Sequence, residues 1–374
     1  MVAIAVSYLV MILAVAISSG YREELRQAIS LLSGDIILDS PSRHYSSDAG
    51  PLSLDAEYVG KIRQINGVDA VEGAIYKAGI IKAGDNISGV MFKGVPQYDS
   101  LCVAIPASLA DQLLLAQGDA MTAYFVGDKV RARKFRVKEI YGRGRGDDLY
   151  RTVLMGGNTT VVYAGLSDMQ RLDGLGPDEV SSIEVRLEPS ARESLDLLTQ
   201  ETAFVASSYI SEDETIPVVA SSKRRYPQIY SWLDLVDFNM LVLLVLMTIV
   251  AGFNMISGLL ILLFRSTSTI GILKAMGMGN RAIAGIFLRL SSRHVLWGMA
   301  IGNAVALLFC LVQGTTHFIP LNPENYMLSY VPVHIDIPSI LAADALSWLV
   351  IMLLLLIPCL FISRVDPAKT VKAE

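Results

Sequence analysis

The sequence predicts an α-helical membrane protein with four transmembrane helices and a large mixed α+β domain, outside the cytoplasm, inserted between helices 1 and 2. Three observations support this prediction. Apolar residues make up 52% of the 374 residues, which is high for a water-soluble chain. Four stretches of 18 to 27 residues contain no charged side chain, and about 20 residues are needed to cross a hydrocarbon core. A long segment of ordinary polarity follows the first stretch.

The uncharged stretches define the predicted segments of the chain. These stretches are residues 2–19, 238–264, 295–312 and 345–363. We therefore expect transmembrane helix 1 and a stalk at 1–34, the inserted domain at 35–230, a stalk and transmembrane helix 2 at 231–264, a loop with a short helix at 265–282, transmembrane helix 3 at 283–313, a second loop at 314–340, transmembrane helix 4 at 341–363 and a tail at 364–374.

The first apolar stretch has two interpretations. Ala14-Val15-Ala16 resembles a signal-peptidase site, so the stretch also fits a cleaved signal peptide. Leu25, Ala28, Ile29 and Leu32 continue at helical spacing beyond it. Because this pattern predicts that the helix runs outward as a stalk, we favour a retained membrane helix.

The basic residues of the short loops predict the orientation. The loop at 265–282 contains Arg265, Lys274 and Arg281, and the tail at 364–374 is also basic, whereas the loop at 314–340 has no Lys or Arg. Basic loops stay in the cytoplasm. We therefore expect both termini to be cytoplasmic and the inserted domain to lie on the opposite side of the membrane.

Within the inserted domain, short helical patterns alternate with short β-runs, which indicates an α+β domain. The turn signal Gly84-Asp85-Asn86 predicts a hairpin between strands. The predicted elements are a helix capped by Ser53 and ending at Asn66-Gly67, hairpin strands at 74–81 and 87–95, a helix opened by Ser108 and ending at Gly118, strands at 120–125, 135–141 and 182–187, and a helix at 192–201.

Composition argues against several classes of function. Residues 1–237 contain 31 acidic and 23 basic residues, so nucleic acid is not an expected partner. The three cysteines and four histidines form no metal-binding spacing. The glycine-rich run at 142–146 could be a phosphate-binding loop, but Asp147 and Asp148 follow it and repel anions, so a flexible basic turn is favoured. We predict no catalytic residue and no directly bound cofactor.

The segment between helices 2 and 3 is the most informative. Residues 270–277 read I-G-I-L-K-A-M-G, and their apolar positions at i, i+3 and i+6 predict a short docking helix. An amphipathic helix lying on lipid is the alternative. The candidate docking residues are Ile270, Gly271, Leu273, Lys274, Met276 and Gly277.

With A-G-F-N-M-I-S at 251–257 and R-V-D-P-A-K at 364–369, this motif resembles the ABC-transporter permeases that include MacB, FtsX, LolC and LolE. The order of one span, a large external domain and three spans is also similar, so the resemblance covers nearly the whole chain. The loop at 320–340 and the run at 134–142 look closest to the lipoprotein-releasing branch.

The resemblance implies a non-catalytic permease in a bacterial inner membrane, with its large domain in the periplasm. It implies a cytoplasmic ATPase subunit that binds ATP and magnesium, and a second permease that is either a copy or a paralogue. In this interpretation the docking residues form a coupling helix to the ATPase. The cargo would be a lipoprotein that is passed to a periplasmic carrier.

Two other functions remain open on the sequence. One is FtsX-like signalling that activates a periplasmic cell-wall hydrolase, and the other is MacB-like mechanical export. For the lipoprotein function, we expect a lipid or cargo groove near Ile29 and Phe238, because the stalk and helix 2 should approach each other where both leave the membrane.

Overall fold

The computed structural model describes residues 2–41, 50–84, 86–125, 130–141, 160–211, 214–321, 328 and 330–359. The chain divides into two compact units. The first unit consists of Met1–Glu23, Trp232–Ile319 and Val331–Glu374, and the second of Glu24–Ser231 and Pro320–Tyr330. The second unit thus begins earlier than the predicted domain boundary at residue 35. It also takes in part of the predicted loop at 314–340.

Helices account for most of the first unit and strands for most of the second. The helices are α1 (Val2–Ser33), α2 (Glu57–Ile62), α3 (Ala107–Leu113), α4 (Leu166–Asp173), α5 (Leu195–Ser208), α6 (Ser222–Arg225), α7 (Pro227–Arg265), α8 (Thr267–Ala275), α9 (Asn280–Thr316), α10 (Ile337–Leu354) and α11 (Leu356–Cys359). The strands are β1 (Ile36–Asp39), β2 (Leu52–Ser53), β3 (Val68–Ala83), β4 (Asn86–Val95), β5 (Cys102–Pro106), β6 (Ala120–Phe125), β7 (Arg131–Tyr141), β8 (Thr160–Gly165), β9 (Glu179–Val180), β10 (Ser182–Leu187) and β11 (Val218–Ser221).

Four helices in the described part of the chain are long and apolar enough to cross a membrane. They are α1, α7, α9 and the segment Ile337–Cys359 that contains α10 and α11. All of the inserted strands lie between α1 and α7. The predicted architecture of four such helices, with a mixed α+β domain between the first and the second, is therefore confirmed. The helix of α1 also continues through the predicted stalk to Ser33.

The first unit has an apolar core to which several helices contribute. Its fully buried members include Tyr8 of α1, Ala251 of α7, Ile283 of α9 and Ile351 of α10. Contact between α1 and α9 is close because Gly302 of α9 faces the backbone of α1; a Cβ atom there would lie 2.5 Å from the carbonyl oxygen of Ala5. Small residues at such positions allow membrane helices to approach closely.

The second unit is built on one nine-stranded sheet, part of which closes on itself. The strand order is β11-β1-β10-β3-β4-β8-β5-β7-β6, and β6 also pairs with β3. This additional pairing, with Ile80 opposite Tyr124, closes the six strands β3–β8 into a barrel. Strands β10, β1 and β11 extend the sheet beyond β3 to a free edge at β11.

Three aromatic rings fill the barrel. Phe92, Phe125 and Phe135 are each at most 2% exposed, and the ring centroids of Phe92 and Phe125 are 4.9 Å apart. Strand β3 passes them at Gly79, where a Cβ atom would lie 2.9 Å from the Phe92 ring. A glycine is therefore required at this position by packing.

The predicted local elements are partly confirmed. The hairpin at Gly84 is present, with β3 and β4 antiparallel from Ile75–Gly94 to Ala83–Asn86. Strands β6 and β10 have the predicted bounds, and β7 begins earlier, at Arg131. The predicted helix at 192–201 is a 3-10 turn, Pro189–Ser194, followed by α5. The glycine-rich run at 142–146 and the tail at 364–374 lie outside the described residues.

Two predicted helix limits are wrong. Ser53 does not cap α2, because it belongs to β2, which pairs with β9, and α2 begins at Glu57. Helix α3 ends at Leu113 instead of near Gly118, because Leu114 adopts a left-handed conformation with φ 54°. Ser108 is the second residue of α3 and not its cap.

Candidate functional site

The predicted docking segment forms the nine-residue helix α8 between α7 and α9. Its C-terminus is a Schellman motif, in which the Gly277 N–H donates to the Lys274 carbonyl (2.9 Å) and the Met278 N–H to the Leu273 carbonyl (3.0 Å). Gly277 has φ +88°, and a Cβ atom there would meet nothing within 4 Å. Gly277 therefore ends the helix in the left-handed conformation that favours glycine.

The apolar side chains of this segment point in two directions. Ile270 is 1% exposed and packs in the core of the first unit, where Leu273 is partly buried against it. Ile272 is 52% exposed and Met276 is 80% exposed. The predicted face of Ile270, Leu273 and Met276 is thus divided: its first two members anchor α8, and Ile272 joins Met276 on the surface.

Two further candidate docking residues, one charged and one glycine, differ in burial. Lys274 is half-buried, and Gly271 is buried. Sequence reasoning missed Ile272, although its position two residues after Ile270 places it away from the anchored face of a helix. Ile272 and Met276 are therefore the apolar side chains that α8 exposes on its surface.

A second arrangement connects the long helices to the sheet of the second unit. Strand β1 follows α1 directly, and β11 precedes α7 with only the short helix α6 between them. The two strands pair antiparallel, with Ile36 opposite Ser221 and Asp39 opposite Val218. Both long helices are thus covalently continuous with neighbouring strands at one edge of the sheet.

A buried charged cluster ties the end of α1 to this sheet. Lys93 Nζ donates to the Leu32 carbonyl at 2.5 Å and to Glu184 Oε2 at 2.8 Å. The Tyr76 hydroxyl donates to the other oxygen of Glu184. Burial raises the pKa of Tyr76 well above its usual value, so this hydroxyl keeps its proton and remains a donor.

Asp35 and Asp39 support the same region at the two ends of β1. Asp35 Oδ2 accepts hydrogen bonds from Ser30 Oγ (2.6 Å) and the Leu187 N–H (2.8 Å). Asp39 pairs with Arg225 at 2.5 Å. Arg225 is the last residue of the basic run Lys223-Arg224-Arg225, which precedes α7, and its ion pair with Asp39 fixes its side chain against β1.

Sequence reasoning did not find this cluster. The available signal was Lys93, the one charged residue of β4, and Glu184, which lies between two apolar residues of β10. Such charges are seldom buried unless they are paired, but their partner is defined only by the folded sheet.

The two predicted groove residues differ in exposure. Ile29 is 0% exposed and belongs to the second unit, whereas Phe238 is 61% exposed and belongs to the first. Of the two, only Phe238 presents its side chain on the surface.

Comparisons with known proteins give one family match in the C-terminal part of the chain and several similar solved structures. Residues 241–367 match the family described as FtsX-like permease C-terminal. No curated protein matches the chain in sequence. Among solved structures, the chain is similar to the extracellular domain of the noncanonic ABC-type transporter YknZ from Gram-positive bacteria, with 11% identity, 49% of this chain and 98% of that chain covered, and a TM-score of 0.32.

Two further structures show similarity at the same level. The periplasmic region of MacB from Actinobacillus actinomycetemcomitans has 13% identity over 55% of this chain and 95% of that chain, with a TM-score of 0.32. A domain of a putative permease protein from Porphyromonas gingivalis has 13% identity over 49% of this chain and 84% of that chain, with a TM-score of 0.26. The C-terminal third of the chain, which contains α8, is thus similar to the C-terminal domain of FtsX-like permeases.

Proposed function

We propose that this chain is the non-catalytic permease subunit of an ATP-driven ABC transporter and that α8 is its contact with a separate cytoplasmic ATPase, which binds ATP and magnesium. The observation that carries this proposal is the divided face of α8. Ile270 is fixed in the core, while Ile272 and Met276 stand exposed one turn apart. The match of residues 241–367 to FtsX-like permeases supports the same assignment.

The anchoring of α8 explains how the contact would act. A force on Ile272 and Met276 is passed through Ile270 to the buried side chains of α7 and α9, because close-packed interiors transmit strain. Helix α7 continues for 39 residues, about 58 Å, and α1 for 32 residues. The C-terminal end of α1 and the N-terminal end of α7 adjoin the paired strands β1 and β11 in sequence, so ATP-driven movement would reach the external domain through these two strands.

For the cargo, we propose a lipoprotein that is extracted from the outer leaflet of a bacterial inner membrane and passed to a periplasmic carrier. The support is the resemblance of residues 134–142 and 320–340 to lipoprotein-releasing permeases. Exposed Phe238 would contact the acyl chains, and burial of these chains is favoured by about 0.8 kcal/mol per methylene. A second permease, a copy or a paralogue, would complete the complex.

The contact with the ATPase is tested by placing a charge on the exposed face of α8. We expect Ile272→Asp and Met276→Asp to abolish copurification with the ATPase or cargo-stimulated ATP hydrolysis, because a carboxylate would be buried in the interface. Lys274→Ala is the control and should have a smaller effect, since exposed ion pairs contribute little. Leu273→Asp should also disrupt coupling. Because Leu273 packs against the core, this variant could lose activity through misfolding, whereas substitutions at the exposed Ile272 and Met276 affect only the contact.

If both aspartate variants kept copurification and stimulated hydrolysis, α8 would be a lipid-surface helix and the permease assignment would fail. The variants should still be inserted and melt at the wild-type temperature, which shows that the loss lies in the contact.

The cargo is tested separately with photocrosslinking residues in the assembled complex. We expect a crosslinker at Phe238 to capture lipoprotein, whereas one at Phe253, which is 65% exposed in the same helix about 22 Å further along, should capture only lipid. If no lipoprotein is captured at Phe238, but Ile272→Asp still abolishes ATPase copurification or stimulated hydrolysis, the permease assignment is retained. The signalling or export function is then favoured over lipoprotein release.

A further inference from the structure

A buried polar pair joins α9 and α10 inside the first unit. Asn303 Nδ2 donates a hydrogen bond of 2.5 Å to Asp344 Oδ2. Asp344 is 5% exposed and lies seven residues after the start of α10, which is about 10 Å along the helix axis. The pair therefore lies within helices that are apolar enough to span a membrane.

Two oxygen atoms of this pair lack a donor. Asp344 Oδ1 and Asn303 Oδ1 are both buried, and neither has a hydrogen-bond partner. An ionised carboxylate and an amide oxygen can only accept hydrogen bonds. Buried acceptors without donors destabilise a fold, so the pair needs a positive or donating partner that serves both oxygens.

The described surroundings contain no cation for this carboxylate. Among the residues that the structure describes, no Lys, Arg or His forms an ion pair with Asp344. The neighbouring polar groups are neutral: Ser347 Oγ hydrogen-bonds to the Asp344 carbonyl (3.0 Å) and to the Tyr8 hydroxyl of α1 (3.2 Å). An ionised carboxylate is costly in such a place.

We propose that Asp344 binds a proton in the folded protein and that its carboxyl group forms a closed acid–amide pair with Asn303. In this pair Asn303 Nδ2 donates to Asp344 Oδ2, as observed, and the O–H on Asp344 Oδ1 donates to Asn303 Oδ1. One proton thus satisfies both oxygens. The pair is a proton-binding site that fastens α9 to α10, and it does not depend on the identity of the cargo or of the ATPase.

The direct test is the infrared spectrum of the full-length protein in lipid nanodiscs, with aspartate labelled by ¹³C at the carboxyl. A protonated carboxyl has a carbonyl band separate from those of amides and carboxylates. We expect such a band at neutral pH, shifted by the label and absent from the spectrum of Asp344→Asn. If no band depends on Asp344, the carboxyl is ionised and the proposal is overturned.

Substitutions test the geometry of the pair. Asp344→Asn should melt within about 2 °C of the wild type, because the introduced amide can donate an N–H to Asn303 Oδ1. Asp344→Leu and Asn303→Leu should melt about 3 °C or more below it, because each leaves an unpaired polar group or a lost interhelical contact. If the melting temperature of Asp344→Asn were as low as that of Asp344→Leu, the proposed closed pair would be overturned.

A bound metal ion is distinguished by the same measurement. If the wild-type melting temperature rises with sodium or potassium concentration at constant ionic strength, and Asp344→Asn removes that dependence, the oxygens hold a metal cation and not a proton. We expect no such dependence.

Discussion

Lys93 and Glu184 determine how the end of α1 is held. Both are nearly fully buried, with side-chain exposures of 3% and 8%, and Lys93 also binds the last turn of α1 through the Leu32 carbonyl. Cations near a helix C-terminus interact favourably with its unpaired carbonyls. Besides neutralising each other's charge, Lys93 and Glu184 therefore fix the C-terminal end of α1 against the sheet.

Removing one partner of this pair should be strongly destabilising. We expect Lys93→Met to lower the unfolding free energy of the inserted domain by about 3–5 kcal/mol, because Glu184 is left buried without its cation. The double variant Lys93→Met/Glu184→Leu should recover part of the loss. Pulse proteolysis in urea on the purified protein measures both changes.

The exposed pair Lys138–Asp99 provides the control, with side chains that are 50% and 75% exposed. Lys138→Met should leave the unfolding curve unchanged. If Lys93→Met also left the unfolding curve unchanged, the buried cluster would not stabilise the attachment of α1 to the sheet.

At the scale of elements, the contact between α1 and α9 depends on two glycines one turn apart. A Cβ atom at Gly298 would lie 2.7 Å from the Ile4 side chain, and one at Gly302 2.5 Å from the Ala5 carbonyl oxygen. The second contact is with backbone, which cannot move aside as a flexible side chain can. The spacing corresponds to the small-xxx-small pattern of close membrane-helix pairs.

Gly302→Ala should therefore separate the two helices and lower the melting temperature of the first unit, at a cost of about 1–3 kcal/mol from overpacking. Gly285→Ala is a matched control in the same helix, since a Cβ atom there would meet nothing within 4 Å. It should be neutral or stabilising by up to about 1 kcal/mol through helix propensity. A Gly302→Ala protein as stable as Gly285→Ala would show that the close contact is absent in the membrane.

Elements defined by local sequence could be predicted, and those defined by distant pairing could not. The hairpin at Gly84 and the four apolar helices follow from turn chemistry and from length. Strands β1 and β11 have four residues each and pair across about 180 positions of the chain, so no local pattern marks them. The wrong cap at Ser53 has the same cause, because β9 lies about 125 residues further along the chain.

The candidate coupling helix α8 has one feature that local sequence predicts and one that depends on distant contacts. Its existence was predictable from an apolar pattern between two spans. Which apolar residues are exposed was not, because the burial of Ile270 depends on side chains from α7, α9 and α10, and that packing is not encoded in the spacing of eight residues.

For the whole molecule, the orientation in the membrane is the prediction with the widest consequences. We expect Lys82→Cys, at an exposed position in β3, to react with a membrane-impermeant thiol reagent on intact spheroplasts. Lys274→Cys in α8 should react only after lysis, because basic loops are retained on the cytoplasmic side. Cys102 is partly exposed and should be replaced first. Labelling of position 274 from outside would contradict the four-span topology.

The place of β1 in the sheet also affects how the protein is made. The ribosome synthesises β1 immediately after α1, but its partners are β10 and β11, the latter about 180 residues later. At about 5–20 residues per second, both neighbouring strands of β1 have been synthesised only roughly 10 to 40 seconds after β1 itself. During this interval Ile36, Ile37 and Leu38 lack these partners. The barrel strands β3–β8 can close during this time, so we expect the pairing of β1 with β10 and β11 to be the last part of the sheet to form.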